Sequence, residues 1–425
     1  MKRLVVAYAL VALAFAAVSW AAGGTATAPA RPAAVPSAVS ISISASACRV
    51  APGRIPAGAV RFTIANRSRV AQRFAIAQKA SSVVRPGGRL TFLVRLDDPA
   101  VYPYRCLPSR GDVRRGSLRV AHNVIVEADM DASDAMAILY LLSRADVEVA
   151  AIVVDGAGGS HCPAGATNAL SLAALAGKPR VPVGCGRPRP LQGAHVFPEE
   201  WRDLADDLWG LPLPARPART PAGLGDQVLR RAIESAPGRV EVLTLGPPTE
   251  LAAVLSADVA LKGKIRSVTM MGGAVGVPGN INRPEIANPY AEWNFYVDPY
   301  AANIVLRSGL PITLVPLGAT NDVPLNSAVA GRLGRSPTAV FVRRLITLLA
   351  SSRGPSPTGY FWDELAAAVL VEPAIGRYAT KRLAVIQREG PESGRTVQAA
   401  DGARVRVTIS ANRARFERSF ASTLR

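Results

Sequence analysis

The chain has 425 residues, of which 49% are hydrophobic and 19% are charged. This composition excludes a disordered, collagen-like or coiled-coil chain and supplies apolar material for two or three folded domains. The 50 basic and 31 acidic residues give a net charge of +19. The excess is uneven, because residues 23–121 contain 16 basic and 3 acidic side chains, whereas residues 122–425 contain 32 and 28. The sequence therefore predicts two differently charged parts.

Residues 1–22 have the pattern of a signal peptide. Lys2 and Arg3 precede an apolar stretch that runs from Leu4 to about Ser19, and small residues follow it. The alternative is a retained membrane anchor, although the stretch is shorter than the ~20 residues that a spanning helix needs. Residues 23–37, rich in Ala, Pro, Gly and Thr, are interpreted as a flexible tether. We therefore expect a protein that is secreted or located in the cell envelope.

The four cysteines fall as one pair in each part of the chain. Cys48 and Cys106 lie in the basic part, and Cys162 and Cys185 lie in the remainder. An even number of cysteines in an oxidising compartment favours disulfides, and pairing within each part is the simplest arrangement. Four buried free thiols are the alternative, because sequence does not fix connectivity.

Residues 38–121 alternate between apolar and polar positions in short segments such as VSISISAS, AVRFTIAN and RLTFLVRL, with Gly and Pro turns between them. This pattern predicts a small all-β sandwich or Greek-key barrel. An IPAG turn, a strand that ends at Asn66, a PGG turn and a late YPYRC strand follow one another in an order that resembles the cupredoxin family. A blue-copper site needs two histidines and a thiolate, but His122, His161 and His195 all lie outside this part, so we expect no copper here.

The basic charge of this part predicts long-range attraction to anionic molecules. In an exported protein we expect an anionic cell-envelope polymer or lipid headgroups as the partner, and a basic surface without a partner is the alternative. Nucleic acid is not expected, because the basic residues are not interleaved with exposed aromatic residues.

Residues 122–425 alternate between strand and helix patterns. Residues 123–126 form an apolar strand, carboxylates follow, and then comes an apolar helix that Ser133 is placed to cap. The later segments VEVAAIVVDG, VEVLTLG, IRSVTMMGG and PITLVPLG each alternate with helical segments. This order predicts an α/β fold with a largely parallel open sheet, helices on both faces, and a site at the carboxyl ends of the strands.

Acidic residues crowd the turn after the first of these strands. Asp129 and Asp134 lie five residues apart, with Asp131 between them. Carboxylates so close repel one another unless a cation neutralises them, and oxygen ligands favour Ca²⁺ or Mg²⁺. The alternative needs no metal, because acidic residues in the first turn of a helix stabilise the helix dipole.

Five motifs of residues 122–425 occur in the order seen in inosine-uridine-preferring nucleoside hydrolases. They are EADMDASDAMAIL, TLGPPTELA, TMMGGAVGVPGNIN, AEWNFYVDPYAANIVLRSGLPITLV and YFWDELAAAVLVEP. Residues 122–425 resemble this family over nearly their whole length. The resemblance implies a Ca²⁺-dependent enzyme that hydrolyses the N-glycosidic bond of nucleosides without an organic cofactor.

The resemblance also implies a set of metal ligands. Asp129, Asp134, Asp363 and the backbone carbonyl of Leu245 match the family's Ca²⁺ ligands. Asp129 additionally matches the base that takes a proton from the attacking water.

For the substrate, the resemblance implies that Asn280, Glu292 and Asn294 hold the ribose, whose oxocarbenium-like transition state is stabilised by fixed dipoles. Taken singly, Glu292 and Asn294 are also explained as helix caps, and Asn280 as a turn residue. Trp362 resembles the tryptophan on which purine-preferring members stack the base, although a core tryptophan is the alternative. His161 and His195 are candidate donors of a proton to the departing base, and ordinary surface or loop histidines are the alternative.

Three positions depart from the family pattern. Glu127 replaces an aspartate and is expected to crowd the metal, Ser133 replaces an aspartate that contacts the ribose, and Gly159 lies where the family carries an asparagine. These departures favour an alternative function, that of a catalytically weakened or inactive nucleoside-binding protein of the same fold. The sequence predicts a purine or broad base preference and leaves the oligomeric state open, a homo-oligomer included.

Overall fold

The computed structural model describes residues 34–213, 217, 219–281, 283–351 and 359–425. The predicted signal peptide and residues 23–33 of the predicted tether lie outside these ranges. Residues 34–128 form strands without an intervening helix. In chain order these strands are β1 (Ser37–Ile43), β2 (Cys48–Ala51), β3 (Arg54–Pro56), β4 (Gly58–Asn66), β5 (Gln72–Ile76), β6 (Lys79–Ala80), β7 (Arg89–Leu96), β8 (Ala100–Pro108) and β9 (Arg114–Ala128).

The first eight strands and the beginning of β9 form two sheets that share one core. One sheet has the order β2–β1–β4–β7, and in the other β8 pairs with β5 and β9, β5 pairs with β6, and β3 pairs with β9. Inward-facing side chains of both sheets, such as Phe62 and Phe74, meet in a single cluster because alternate residues of a strand point to the same face. A disulfide between Cys48 and Cys106 links β2 of one sheet to β8 of the other.

Strand β9 continues from this all-β part into the rest of the chain. It is 15 residues long. Its first half pairs with β8 and β3 up to Ala121, and its second half pairs with two later strands from His122 onward. The strand expected over residues 123–126 is therefore the second half of a longer strand, because no Gly or Pro interrupts the chain between Gly116 and Ala128.

From Asp129 onward, strands and helices alternate. They are α1 (Ala132–Ser143), β10 (Val147–Val154), α2 (Cys162–Leu175), β11 (Val183–Cys185), α3 (Glu199–Asp206), α4 (Gly225–Ser235), β12 (Val240–Thr244), α5 (Thr249–Ala257), β13 (Ile265–Met271), α6 (Trp293–Val297), α7 (Pro299–Leu306), β14 (Ile312–Val315), α8 (Leu317–Thr320), α9 (Ser327–Gly331), α10 (Pro337–Ser351), α11 (Trp362–Val371), β15 (Gly376–Val385), β16 (Thr396–Gln398), β17 (Ala403–Ala411) and α12 (Arg413–Thr423). A second disulfide joins Cys162 to Cys185.

These strands form a mixed sheet with parallel strands at its centre. The parallel strands have the order β17–β14–β13–β12–β9–β10–β11, and β15 and β16 extend the sheet in antiparallel fashion beyond β17. Val124 and Val126 pack on one face and Ile125 on the other, each within a separate apolar core built with helices. The predicted α/β fold with helices on both faces is confirmed. No helix of the described residues is long and apolar enough to cross a membrane.

Candidate active site

The predicted site residues converge at the carboxyl ends of three neighbouring strands. Asp129 directly follows β9, Leu245 directly follows β12, and Gly272 directly follows β13. Asp363 comes from a distant part of the chain, in the first turn of α11, which packs against α1 and β13. Parallel strands place their carboxyl ends at one edge of the sheet, so residues far apart in sequence meet there.

Three aspartates lie buried at this edge. Asp129, Asp134 and Asp363 are 3%, 1% and 4% exposed. Asp134 Oδ2 and Asp363 Oδ1 have no hydrogen-bond partner within the described part of the chain. Burial, followed by the charges of Asp363 and Asp129, raises the pKa of Asp134 well above its ordinary range, and burial also raises the pKa of Asp363. Unpartnered, mutually repelling carboxylate oxygens are the donors that Ca²⁺ or Mg²⁺ would satisfy, so these residues fit a hard divalent cation.

Glycines allow the chain to close around Asp129. The backbone N–H of Gly159 donates a hydrogen bond of 2.8 Å to Asp129 Oδ2. A Cβ atom on Gly158 would overlap the side chain of Asp129, and one on Gly246 would lie 2.7 Å from Asp129 Cβ. Position 159, where the resemblance implied an asparagine, is a glycine, and its backbone N–H contacts the predicted base.

Ser133 does not cap α1. The N-cap is Asp131, whose carboxylate accepts a hydrogen bond from the backbone N–H of Ala132. The helix therefore begins two residues earlier than a Ser133 cap requires, and Ser133 faces Asp363, to whose Oδ2 its hydroxyl donates. Burial and the charge of Asp129 raise the pKa of Asp131 to about 6.

The residues predicted to hold the ribose lie around the first turn of α6. Glu292 caps this helix and accepts hydrogen bonds from the backbone N–H groups of Asn294 (2.9 Å), Phe295 (3.2 Å) and Gly273 (2.8 Å). Burial raises the pKa of Glu292 to about 7 despite these donors. The capping role that the sequence left open for Glu292 is thus present, and a carboxylate with about four acceptor sites retains capacity for a ligand hydroxyl.

Asn294 and Asn280 connect this turn to neighbouring segments. Asn294 Nδ2 donates a hydrogen bond of 2.6 Å to the carbonyl of Leu245, the predicted backbone ligand of the metal. Asn280 Oδ1 accepts a hydrogen bond of 3.1 Å from the backbone N–H of Trp293. A carbonyl oxygen has two lone pairs, so the bond from Asn294 leaves one available on Leu245.

Trp362 and His161 lie on different elements of the site. Trp362 is half-buried at the start of α11, next to Asp363, and its indole N–H has no partner among the described residues. His161 precedes α2 and is held by Asp206, whose carboxylate accepts from the backbone N–H of His161 and lies 2.8 Å from its Nδ1. Glu199 lies 3.1 Å from Nε2 of the same ring.

Glu127 was expected to crowd the metal, but its carboxylate does not contact the three aspartates. Its carboxylate accepts hydrogen bonds from the backbone N–H groups of Glu250 (2.8 Å) and Leu251 (3.2 Å) in the first turn of α5. The N-terminus of a helix attracts a carboxylate, so Glu127 turns towards α5. The longer side chain therefore does not crowd the predicted metal ligands.

A second group of buried carboxylates surrounds Glu127, and the sequence reasoning missed it. Ligand atoms of Glu127, Asp155 and Glu250 all lie within 4.8 Å of one another. Burial and the charges of the other two residues raise the pKa of Asp155 well above its ordinary range. Burial raises the pKa of Glu250 to about 7, although the Arg187 backbone N–H donates to its carboxylate at 2.7 Å.

Two further residues near the site were not anticipated. Arg202 of α3 is 6% exposed and donates to the carbonyls of Gly156 (2.8 Å) and Ser160 (3.3 Å), which holds the loop that contacts Asp129. In the sequence, this role of Arg202 is indicated by a single basic residue on the apolar face of the amphipathic segment EEWRDLAD. Glu364 is fully buried beside Asp363 with both oxygens unpartnered in the described residues.

Comparisons with known proteins find related sequences and structures. Residues 124–418 match the family model of the inosine-uridine preferring nucleoside hydrolases. Uridine nucleosidase 1 of Arabidopsis thaliana is 31% identical over 217 residues, which are 51% of this chain. The match spans 62% of the plant protein, which is less than two thirds of its length. Pyrimidine-specific ribonucleoside hydrolase RihA of Salmonella paratyphi A is 27% identical over 59% of this chain and 80% of that protein. The solved inosine-uridine preferring nucleoside hydrolase of Bacillus anthracis has a TM-score of 0.64 and 25% identity, and the match covers 71% of this chain and 99% of that one.

Proposed function

Because this chain belongs to the inosine-uridine preferring nucleoside hydrolase family, we propose that it is an exported, Ca²⁺-dependent enzyme that hydrolyses nucleosides to free base and ribose. The observation that carries the proposal is the convergence of Asp129, Asp134 and Asp363, with two buried carboxylate oxygens that have no partner among the described residues. A protein without a cation there would leave those oxygens desolvated and in mutual repulsion.

The proposed ligands are Asp129, Asp134, Asp363 and the carbonyl of Leu245. When bound, Ca²⁺ supplies a Lewis acid that makes a coordinated water easier to deprotonate. Asp129 takes the proton from the attacking water, and the Gly159 N–H orients its carboxylate at 2.8 Å. The four ligands come from two strand ends and two helices, so folding alone brings them together.

On the ribose side, the chain fixes the sugar through oriented polar groups. Glu292 and Asn294 are held in place by backbone groups of α6 and of the segments that follow β12 and β13. Preorganised dipoles stabilise a sugar cation without reorganising during the reaction. We propose that Asn280, Glu292 and Asn294 contact the ribose hydroxyls.

The decisive experiment measures free ribose. The purified mature protein is incubated with a panel of purine and pyrimidine nucleosides and Ca²⁺, and reducing sugar is measured over time. We expect ribose release that Asp129→Asn abolishes and that Asp401→Asn, at an exposed carboxylate that pairs with Arg307, leaves unchanged. No ribose from any nucleoside, combined with Ca²⁺-dependent nucleoside binding, would overturn the enzyme proposal.

A second candidate function is nucleoside binding without turnover, and Ser133 is the observation that favours it. Its hydroxyl is engaged by Asp363, and serine offers the ribose no charged acceptor. Charged hydrogen bonds contribute roughly 1.5–3 kcal/mol, so one lost bond corresponds to roughly tenfold to more than a hundredfold in rate. Ser133→Asp should raise ribose release under saturating Ca²⁺, whereas the matched Ser133→Ala should not, and an unchanged rate in Ser133→Asp would argue against this assignment.

For the base, we propose a purine or broad preference. The half-buried indole of Trp362 beside Asp363 supports it, because stacking on a flat ring favours a large aromatic leaving group. The names of the two curated relatives refer to uridine and pyrimidine substrates. The nucleoside panel therefore includes inosine, guanosine, uridine and cytidine, and a strict pyrimidine preference would contradict the proposal.

We also propose that residues 38–121 attract an anionic polymer of the cell envelope. Outward-facing positions of β4, β5 and β7 carry exposed arginines, among them Arg61, Arg73 and Arg89. Retention of the mature protein on an anionic polysaccharide should fall steeply between low and high salt, because screening weakens exposed charges. Export is tested separately by fractionating cells that express the full chain, and a wholly cytoplasmic product would refute it.

A further inference from the structure

A histidine and carboxylate cluster lies beside the active site, on the loop that contacts Asp129. His161 ends this loop, and Glu199 and Asp203 come from α3. One ligand atom from each of these three side chains lies within 4.8 Å of the other two. His161 is half-buried and the two acidic residues are exposed, so an ion can reach the cluster from solvent.

The imidazole of His161 is oriented as in metal-binding histidines. Asp206 accepts from the backbone N–H of His161 with one oxygen and lies 2.8 Å from Nδ1 with the other. A carboxylate on Nδ1 fixes the tautomer that leaves Nε2 with its lone pair outward, and it makes Nε2 a stronger ligand. This orientation is independent of the acidic residues of the cluster.

The acidic residues meet Nε2 from one face of α3. Glu199 and Asp203 are four residues apart, and residues at this spacing lie side by side on a helix. Glu199 Oε1 is 3.1 Å from His161 Nε2. Two ligands bound ~2.1 Å from a tetrahedral zinc ion lie about 3.4 Å apart, so this pair needs only a small outward movement to admit the ion. Arg202 is the competing cation, at 4.0 Å from Glu199.

We propose that His161 Nε2, Glu199 and Asp203 bind one divalent transition-metal ion of the zinc type, with Asp206 as the outer partner of the histidine. Three protein ligands leave the fourth tetrahedral position to water. Calcium does not suit the cluster, because its ligands are oxygens, whereas zinc accepts imidazole and carboxylate together. Bound zinc joins the loop of residues 156–161 to α3 and thereby stabilises the segment whose Gly159 N–H contacts Asp129.

The test measures metal binding and has no activity readout, so it is independent of the proposed hydrolysis. The mature full chain, oxidised so that Cys162 remains in its disulfide, is stripped with a chelator and then saturated with Ca²⁺. Zn²⁺ is titrated by calorimetry, and Co²⁺ is added to a second sample for visible absorption. We expect one Zn²⁺ per chain and a Co²⁺ spectrum with the intensity of a tetrahedral site.

Variants then locate the ion. Asp206→Asn should weaken zinc roughly 10- to 100-fold, as loss of an outer-shell partner does, and His161→Ala should weaken it further. Asp203→Asn changes an exposed residue, so its folding is safe and its loss of affinity is interpretable. The matched control is His195→Ala, which removes a histidine that lies 2.8 Å from one carboxylate, that of Glu389, and should leave zinc affinity unchanged.

Three outcomes overturn the proposal. They are no zinc binding by the Ca²⁺-saturated wild type, zinc binding that persists in both His161→Ala and Asp203→Asn, and zinc binding that His195→Ala removes. In the first case His161 serves only as a hydrogen-bond partner between Asp206 and Glu199.

Discussion

Replacing Glu250 with glutamine should reduce the loss of folding stability that occurs as the pH rises. Glu250 is 1% exposed and shares its surroundings with Glu127 and Asp155. Burial raises its pKa to about 7 from an ordinary 4.5. The folded protein therefore holds this proton where the unfolded chain releases it, and folding stability falls as the pH rises from 4.5 to 7. Glutamine stays neutral and can still accept the hydrogen bond from the Arg187 N–H.

The difference between a pKa of about 7 and the ordinary 4.5 corresponds to about 3 kcal/mol of unfolding free energy, at ~1.4 kcal/mol per pH unit. This contribution is fully present below pH 4.5 and is lost above pH 7. An unfolding entropy of ~2.1 cal/mol/K per residue gives roughly 0.8 kcal/mol per kelvin for a folded unit of this size, so 3 kcal/mol shifts the Tm by about 4 °C.

The assay is thermal unfolding of wild type and Glu250→Gln at pH 5 and pH 8, with saturating Ca²⁺ so that the predicted metal ligands stay ionised at both. We expect nearly equal Tm values at pH 5 and a variant about 4 °C more stable at pH 8. The control Glu285→Gln, at an exposed carboxylate, should follow wild type. If the Tm falls by the same amount between pH 5 and pH 8 in wild type and in Glu250→Gln, Glu250 does not hold a proton in the folded protein and the reasoning is wrong.

Four other predictions concern the metal, the base, the first disulfide and copper. Saturating Ca²⁺ at about 100 times its Kd should stabilise wild type by ~2.7 kcal/mol, and Asp134→Asn should lose this effect; a calorimetric titration that is unchanged by the substitution would contradict the ligand set. Trp362→Ala should slow hydrolysis of purine nucleosides roughly tenfold or more, from the ~1–3 kcal/mol of base stacking, with nearly unchanged Ca²⁺ affinity. Thiol titration of the unfolded, unreduced protein should find Cys48 and Cys106 unreactive, and added copper should produce no blue absorbance, whereas reactive thiols or a blue colour would refute the respective statement.

Local sequence patterns predicted the elements that carry the site. Apolar runs of strand length followed by helical periodicity identified the alternation of β9, α1, β10 and α2, because burial on both faces of a parallel sheet leaves a continuous apolar signal. Carboxylates directly after a buried strand then pointed to the sheet edge where Asp129 and Asp134 now lie.

The remaining features depend on partners distant in sequence. The direction of Glu127 is decided by the N-terminus of α5, more than 120 residues later, and no local pattern contains that contact. The cap of α1 at Asp131 instead of Ser133 is a shift of two residues, and both side chains are suitable caps. The hydroxyl of Ser133 donates to Asp363, 230 residues away, and this contact also lies outside any local pattern.

Because β9 is continuous, it would determine where a molecule bound to the N-terminal sheets lies relative to the catalytic centre. With a flexible linker, the bound molecule would adopt many orientations relative to the catalytic centre, and only its average position would be defined. Here one strand of 15 residues, about 50 Å of extended backbone, belongs to both hydrogen-bond ladders. An ion pair of 2.8 Å between Arg54 and Glu148 and another of 3.0 Å between Asp98 and Arg266 cross the same junction. A molecule bound to the basic sheets would therefore be held at a fixed distance and direction from Asp129, which directly follows the end of the same strand.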